Sequence, residues 1–375
     1  MTSRLIIYDT SNFTDFPIGG QITSITNFLL FLTKMHPHKC KKLILVGVTT
    51  VPEQLGIWQS VIINGISIPM LPVAVADTDL SHTPKSLRLQ YSKGLIKYGK
   101  KLKVSKNDCC YIHTPEACGT IKLLNPLAKC VLFSHGSFFN MAESFRFFQK
   151  NILVKKAFTL YIKWIIRTAR LIFVLDDDSY NAYQKYNKKL VKVLNSIVCP
   201  DEKPFHALTG TVIFVGRLSK GKNIKPIIDA VNETDNLSLM IVGDGEEYDT
   251  LHSFATDRIR FTGAVAPAKV KEYMLQADIL VMNSIFEGIP MTILEALSLG
   301  IPVISTPVGG IPSILRFGKD SEATDGSSAK IREMLQKIYA SYSSYSEEAY
   351  QASKRYDYLA VNRVIYQHLS EFWKP

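Results

Sequence analysis

The chain has 375 residues, 46% of them hydrophobic and 21% charged, a globular composition that excludes disorder, collagen and a small disulfide-stapled scaffold. That length suits two domains of about 150 to 200 residues better than one. The formal net charge is +11 and unevenly placed: residues 1–195 hold 26 Lys and Arg against 11 Asp and Glu, whereas 196–375 hold 18 against 22.

The imbalance points to an anionic partner for the first half, which leaves nucleic acid, an anionic membrane surface and a phosphorylated substrate open. Six cysteines, at 40, 109, 110, 118, 130 and 199, include no C-x-x-C spacing and fit reduced thiols in the cytosol. No run of about 18 apolar residues exists to cross a membrane, and Leu5-Ile6-Ile7-Tyr8 is too short for a signal-peptide core. The expectation is a cytoplasmic chain, soluble or peripheral on the inner face of the membrane.

Leu5–Tyr8 predicts the first strand, followed by Pro17-Ile18-Gly19-Gly20 and a helix from near Ile22. Gly19 and Gly20 let the backbone approach a phosphate or sugar, or simply make the turn. Further strands are predicted at Lys42–Val48, Cys109–His113, Lys129–Ser134, Ala169–Leu175 and Lys192–Leu194. Several are apolar on both faces, as buried parallel strands are. His113 and His135 end two of them, at the carboxyl edge where open α/β sheets bind ligands, with a buried structural histidine as the alternative for each. Asp176-Asp177-Asp178 contains a D-x-D pattern. It stands just before a helical stretch, where N-cap and first-turn acids belong, so no metal site is expected.

Two amphipathic segments hold much of the basic charge. In 83–106, Leu87, Tyr91, Leu95, Tyr98 and Leu102 recur every three or four residues among Lys85, Arg88, Lys93, Lys97, Lys100, Lys101, Lys103 and Lys106. In 145–170, Phe147, Phe148, Ile152, Phe158, Tyr161, Trp164 and Ile165 alternate with Lys150, Lys155, Lys156, Lys163, Arg167 and Arg170. Two readings stay open: apolar stripes against the core with a solvated basic rim, or docking on an anionic bilayer. The charge of the whole first half favours the second.

Residues 196–210, with Pro200, Pro204 and Gly210, read as a linker. The β/α rhythm then resumes with strands at Thr211–Val215, Leu237–Val242, Ile259–Thr262, Ile279–Asn283 and Pro302–Ser305. Two such arrays predict an α/β protein of two doubly wound, Rossmann-like domains, 1–195 and 211–353.

The chemistry concentrates in 278–312. A strand ends at Asn283-Ser284, a loop carries Glu287, Gly288, Ile289 and Pro290, and a helix runs from Met291 to Gly300. Free backbone N–H groups at that helix start, around Met291 and Thr292, make an anion site. Glu295, seven intervening residues beyond Glu287, lies one turn into the helix and suits the paired hydroxyls of a ribose. Glu287 faces whatever is attached to the phosphates. Arg217 and Lys222, in the loop that follows Gly216, suit a diphosphate leaving group. The layout fits a nucleotide-sugar.

The succession GRLSKGKN, IVGDGEE, RFTG, SIFEGIPMTILEAL and IPVISTPVGG over 216–310 resembles the C-terminal domain of the family-4 retaining glycosyltransferases, which have the GT-B architecture. FPIGG and SHG resemble its N-terminal domain more weakly, and 354–375 resembles the last helix, which crosses back to the first domain. The resemblance implies two Rossmann-like domains facing across a cleft. It makes Arg217 and Lys222 the diphosphate pair, Glu295 the ribose glutamate, Glu287 the donor-sugar glutamate and His135 a histidine near that sugar. Gly216, Gly288, Ile289, Met291 and Thr292 become donor-contacting backbone, and Gly19 and Gly20 the glycine loop of the first domain. It implies no metal and no cofactor beyond the nucleotide-sugar co-substrate.

Three departures stand out: Ser313 where the family has Glu, a short Phe317–Ser328 segment, and Asn195-Ser196-Ile197-Val198 at the hinge. The expected activity is transfer of a hexose to a glycan acceptor, lipid-linked, in bacterial O-antigen or capsule synthesis. A nucleotide-sugar epimerase of the same architecture, or an inactive sugar-nucleotide-binding partner of another transferase, is the alternative. Nucleic acid has only the charge in its favour, without a recognisable module.

Overall fold

The computed structural model describes residues 3–14, 16, 20–77, 86–139 and 152–374. They form two compact units, Met1–Ser196 with Tyr358–Pro375, and Ile197–Asp357. Gly19, Lys85, Phe147, Phe148 and Lys150 lie outside the described residues.

The first unit is built on an eight-stranded sheet: β1 (Leu5–Tyr8), β2 (Leu43–Thr49), β3 (Gln59–Ile63), β4 (Ile66–Val75), β5 (Cys109–Ile112), β6 (Lys129–Ser134), β7 (Leu171–Val174) and β8 (Leu190–Lys192). Their order is β3-β4-β2-β1-β5-β6-β7-β8, parallel except for the antiparallel pair β3–β4. Every residue of β1, β2 and β5 is buried, which explains their unbroken apolar runs. One face carries α1 (Gly20–Met35) and the C-terminal helix Tyr358–Ser370, whose Phe28, Leu32, Val361 and Ile365 share a core. The opposite face carries α2 (Leu87–Tyr98), α3 (Pro115–Leu124) and α4 (Ile152–Thr168) over Tyr91, Leu95, Ile121, Ile162 and Ile166. Asp176 caps α5 (Asp177–Tyr183), accepting from the Ser179 N–H at 2.6 Å and its hydroxyl at 2.9 Å.

The second unit has a parallel six-stranded sheet: β9 (Thr211–Val215), β10 (Ser238–Val242), β11 (Ile259–Gly263), β12 (Ile279–Met282), β13 (Val303–Ser305) and β14 (Ser321–Ala323), ordered β11-β10-β9-β12-β13-β14. Its helices are α6 (Lys225–Asn232), α7 (Tyr248–His252), α8 (Pro267–Met274), α9 (Met291–Ser298), α10 (Ser328–Ala340) and α11 (Tyr342–Ser353). Strand order reverses between β9 and β12, so the loops after these two strands open on the switch point where doubly wound sheets bind ligands.

Two readings of the strands are corrected. The β3–β4 hairpin was not expected; its turn is Asn64-Gly65, both at positive φ (48° and 75°), which matches the right-handed twist of the strands. β8 lies at Leu190–Lys192 rather than Lys192–Leu194. Residues 197–210 group with the second unit. Tyr350 donates to the Pro200 and Asp201 carbonyls at 3.0 and 2.8 Å, Lys203 pairs with Glu347 at 2.9 Å, and His206 meets Asp278 at 2.6 Å. At the other end, Lys354–Tyr356 is a 3-10 turn of the second unit, and the returning helix starts at Tyr358.

Candidate active site

Two loops knit together at the end of β9. The Gly216 N–H donates to the Val242 carbonyl at 3.0 Å, the Leu218 N–H to Asp244 at 2.9 Å and the Glu247 N–H to Leu218 at 3.0 Å. A Cβ on Gly243 would stand 1.9 Å from the Gly216 oxygen, and one on Gly245 2.3 Å from the Leu218 oxygen. The glycines of the Gly-Asp-Gly turn are therefore required for this backbone approach. From the joined loops Arg217 projects, 74% exposed, with its guanidinium 3.0 Å from Glu246.

The chain continues through a 3-10 turn, Lys220–Lys222, ended by Asn223 at φ 47°. Here the loop after β12 docks: the Ile285 N–H donates to the Gly221 carbonyl at 2.8 Å. This contact sets Lys222 against Glu287, and the two form an ion pair with largely covered side chains. The same Glu287 oxygen, Oε1, accepts from the Ser284 hydroxyl at 2.7 Å. Asn283, fully buried, donates to the Asn223 and Gly326 carbonyls at 3.0 Å each, tying three loops to one side chain. Its Oδ1 is buried without a partner.

The loop after β13 closes the arrangement from the other side. Gly310 donates its N–H to the Gly288 carbonyl at 3.0 Å, and a Cβ on Gly309 would stand 1.8 Å from the Glu287 backbone carbonyl oxygen. Ser313, the first of the three departures from the resemblance, is exposed and donates its hydroxyl to the Gly310 carbonyl at 2.6 Å, closing the short turn Ile311–Ser313. Gly288 itself faces open space.

Pro290 leads into α9, whose first residues, Met291 and Thr292, are half-buried, as is Ile289. One turn on, burial pushes the Glu295 carboxyl above its ordinary value of 4.5. Such a carboxylate gains from ligand hydroxyls that hydrogen-bond to its charged form. Ile285 and Phe286, at the tip of the loop, are 67% and 79% exposed. Sequence reasoning passed over them, although two large apolar residues ahead of a site glutamate were a visible signal. Lys222 and Glu287 are thus in contact, while Arg217 engages Glu246 on the neighbouring loop.

In the first unit Gly20 opens α1. The next residue, Gln21, donates to Asp9, a buried carboxylate at the end of β1 that burial raises above its ordinary value. His113 and His135, at the ends of β5 and β6, are themselves in contact: His113 Nδ1 and His135 Nε2 are 2.9 Å apart. Burial pulls His135 down to about 3 and His113 well below its ordinary range, so both are neutral at pH 7. The sequence placed each at a sheet edge but not against the other.

Residues 202–355 match the family model of "Glycosyl transferases group 1". The putative teichuronic acid biosynthesis glycosyltransferase TuaC of Bacillus subtilis is 39% identical over 109 residues, 28% of this chain and 26% of that protein. The lipopolysaccharide core biosynthesis glycosyltransferase LpsE of Rhizobium meliloti is 34% identical over 119 residues, 30% of this chain and 34% of that protein. The matched stretches thus span about a quarter to a third of these curated relatives. Similarity in three dimensions covers much more. Anabaena Alr3699/HepE in complex with UDP has a TM-score of 0.66 at 17% identity over 98% of this chain and 100% of that one. Sucrose-phosphate synthase of Thermosynechococcus elongatus has 0.73 at 14% identity over 98% of each chain. The chain has the GT-B fold, and its residues 202–355 are similar to the group 1 glycosyl transferases.

Proposed function

We propose that this chain is a retaining, metal-independent glycosyltransferase of the family-4 type. It moves a hexose from a nucleotide-diphosphate sugar to a lipid-linked glycan in bacterial surface polysaccharide synthesis, O-antigen or capsule, peripherally on the cytosolic membrane face. The observation that carries this reading is the Lys222–Glu287 pair, held at the switch point immediately before the start of α9. A cation, a carboxylate and free helix N–H groups meet there, as a sugar joined to a diphosphate requires. Names of relatives give the biological direction: teichuronic acid, lipopolysaccharide core and, for WbnH of Escherichia coli, O-antigen synthesis. Alr3699/HepE has been solved with UDP-glucose, which supports a nucleotide-sugar donor.

In this reading the diphosphate lies against the start of α9, with Arg217 and Lys222 taking up the charge that develops as it leaves. Glu295 accepts from the ribose hydroxyls and Glu287 from those of the sugar. The acceptor hydroxyl attacks from the face the diphosphate leaves, so the anomeric configuration is kept.

The test is a panel of nucleotide-sugars screened by thermal shift, followed by acceptor trials with the one that binds. The expected result is transfer with the donor's α configuration seen by NMR, undiminished by EDTA. Release of an epimerised sugar nucleotide without acceptor would establish the epimerase instead. Binding without turnover on any acceptor would leave an inactive partner of another transferase.

A further inference from the structure

The helices α2, α3 and α4 form one continuous layer on the first unit's sheet. Arg88 of α2 reaches Glu116 of α3 at 3.3 Å, and the Tyr161 hydroxyl of α4 donates to the Glu116 carbonyl at 3.3 Å. Gly119 leaves room for the Tyr161 ring, since a Cβ there would stand 2.0 Å from its hydroxyl. The inner faces of all three helices are spent on a shared core. The core reading of the amphipathic segments is thus correct for Tyr91, Leu95, Leu102 and Ile165.

A second apolar set remains on the outside. Leu89 and Ile96 of α2, Leu123 of α3, Leu127 in the turn after it, and Leu153 and Leu160 of α4 are between 57% and 75% exposed. On α2 and α4 they recur at seven-residue intervals, two helical turns apart, on the side away from the core. Around them the three helices carry eight Lys and Arg and a single acid, Glu116, which Arg88 neutralises. Among the described residues of these helices acids are therefore scarce where a merely solvated face would mix both signs.

We propose that this outer face of α2, α3 and α4 is the surface on which the chain docks to an anionic phospholipid bilayer. The leucines and isoleucine enter the headgroup boundary, and the lysines keep their stems in it and their ammonium groups on lipid phosphates. A second copy of the chain fits poorly, because a self-complementary contact would set like charges against each other. Nucleic acid would leave the leucines without a partner. The proposal deepens the reading of a lipid-linked acceptor and rests on it for its purpose, but the binding itself requires no turnover.

The experiment is co-flotation of the full chain with phosphatidylcholine vesicles, with and without phosphatidylglycerol, across a salt series. Wild type is expected to bind the anionic vesicles, weakening steeply with salt. Lys93→Glu/Lys156→Glu is expected to lose at least tenfold in partitioning, each basic residue contributing roughly fivefold at an anionic surface. Leu123→Asp/Leu127→Asp is expected to lose a similar factor. All four positions are exposed, so circular dichroism and melting should stay as in wild type. Equal binding to neutral vesicles, binding unchanged in both variants, or a wild-type dimer that the leucine variant turns into a monomer would each overturn the proposal. Transfer to a water-soluble acceptor separates it from the catalytic reading. Vesicle binding without transfer sinks only the enzyme assignment, and transfer without vesicle binding sinks only the docking face.

Discussion

His113 Nδ1 lies 2.9 Å from His135 Nε2, and His113 Nε2 is buried without a partner. With both rings neutral, one of the facing nitrogens carries the shared proton. If His135 donated, the proton of His113 would sit on the orphaned Nε2, an unpaired buried donor. Donation by His113 instead leaves only a lone pair unpaired, the lesser loss. His135 then holds its own proton on Nδ1, available to a ligand. Nitrogen NMR should find His113 protonated at Nδ1 and His135 at Nδ1. The reverse assignment would refute this tautomer argument.

The same pair predicts an acid sensitivity. His135 titrates near 6.5 when unfolded and at about 3 when folded, so between those values the unfolded chain binds more protons and stability falls as pH falls. One histidine so shifted costs up to about 1.4 kcal/mol per pH unit, or about 1.6 kcal/mol from pH 6.5, where the unfolded ring is half charged, to pH 5. Denaturant unfolding of wild type and His135→Asn at the two pH values should differ by about that amount. Parallel loss in both proteins would show that His135 charges freely in the folded chain.

The Lys222–Glu287 contact ties a cation from the β9 loop to the carboxylate of the β12 loop. Removing one preorganised charge that stabilises a leaving group lowers kcat by about a hundred- to a thousandfold. Lys222→Ala should show that loss while circular dichroism stays native. Turnover close to wild type would remove Lys222 from the transfer step.

Much of the frame was legible because a buried parallel strand is a short apolar run: Leu5–Tyr8, Lys129–Ser134 and Thr211–Val215 stand where that pattern puts them. The Asn64-Gly65 hairpin was legible too, as Asn-Gly between apolar runs, but the parallel rhythm around it masked the signal. β14, Ser-Glu-Ala, has no pattern of its own and exists by pairing with β13. In the site, residue types and strand-end positions could be read, and contacts could not. Lys222 and Glu287 are 65 residues apart, and their meeting depends on the Ile285–Gly221 backbone bond. Arg217 with Glu246 on the second unit's sheet, and His113 with His135 on the first unit's, are likewise consequences of neighbouring strand ends.

Glycines separate fold from site in a testable way. Gly309 has φ 56°, and a Cβ would strike the Glu287 carbonyl, whereas Gly288 faces open space. Gly309→Ala should cost about 2–3 kcal/mol of stability and displace Glu287, but Gly288→Ala should stay within about 0.5 kcal/mol. Urea midpoints compare the two, and equal costs would mean that the 287–288 backbone is not pinned by the turn behind it.

Glu295 offers a trade between stability and binding. Its carboxyl is raised above 4.5 by burial, so ionising it near pH 7 works against the empty fold. A raised carboxyl favours folding below the unfolded value and loses that advantage as pH rises through the folded one. Glu295→Gln should therefore melt higher than wild type at pH 7 without ligand and gain less from a bound nucleoside diphosphate. UDP, which Alr3699/HepE binds, is a suitable first probe in thermal shift. An equal UDP shift in both proteins would remove Glu295 from the ribose.

Asp278 shows the opposite balance. Its side chain is fully buried, and that burial opposes its charge. Hydrogen bonds from His206, the Thr209 and Gly210 N–H groups and the Tyr339 hydroxyl outweigh burial and hold the carboxyl below 3.8. The Gly210 bond is 2.7 Å, and the Thr211 N–H adds another at 3.1 Å, so one carboxylate fastens 206–211 to the start of β12. Asp278→Asn keeps the volume but turns an NH2 toward backbone donors, which should cost about 3 kcal/mol at pH 7. A depressed carboxyl gives stability above its unfolded value and loses it as pH falls through the folded one. Wild type should thus lose stability below about pH 4 on this account, and the variant should lack that part of the acid transition. Urea unfolding on both sides of that pH checks it; an identical acid slope in the two proteins would mean that Asp278 is not the group that titrates.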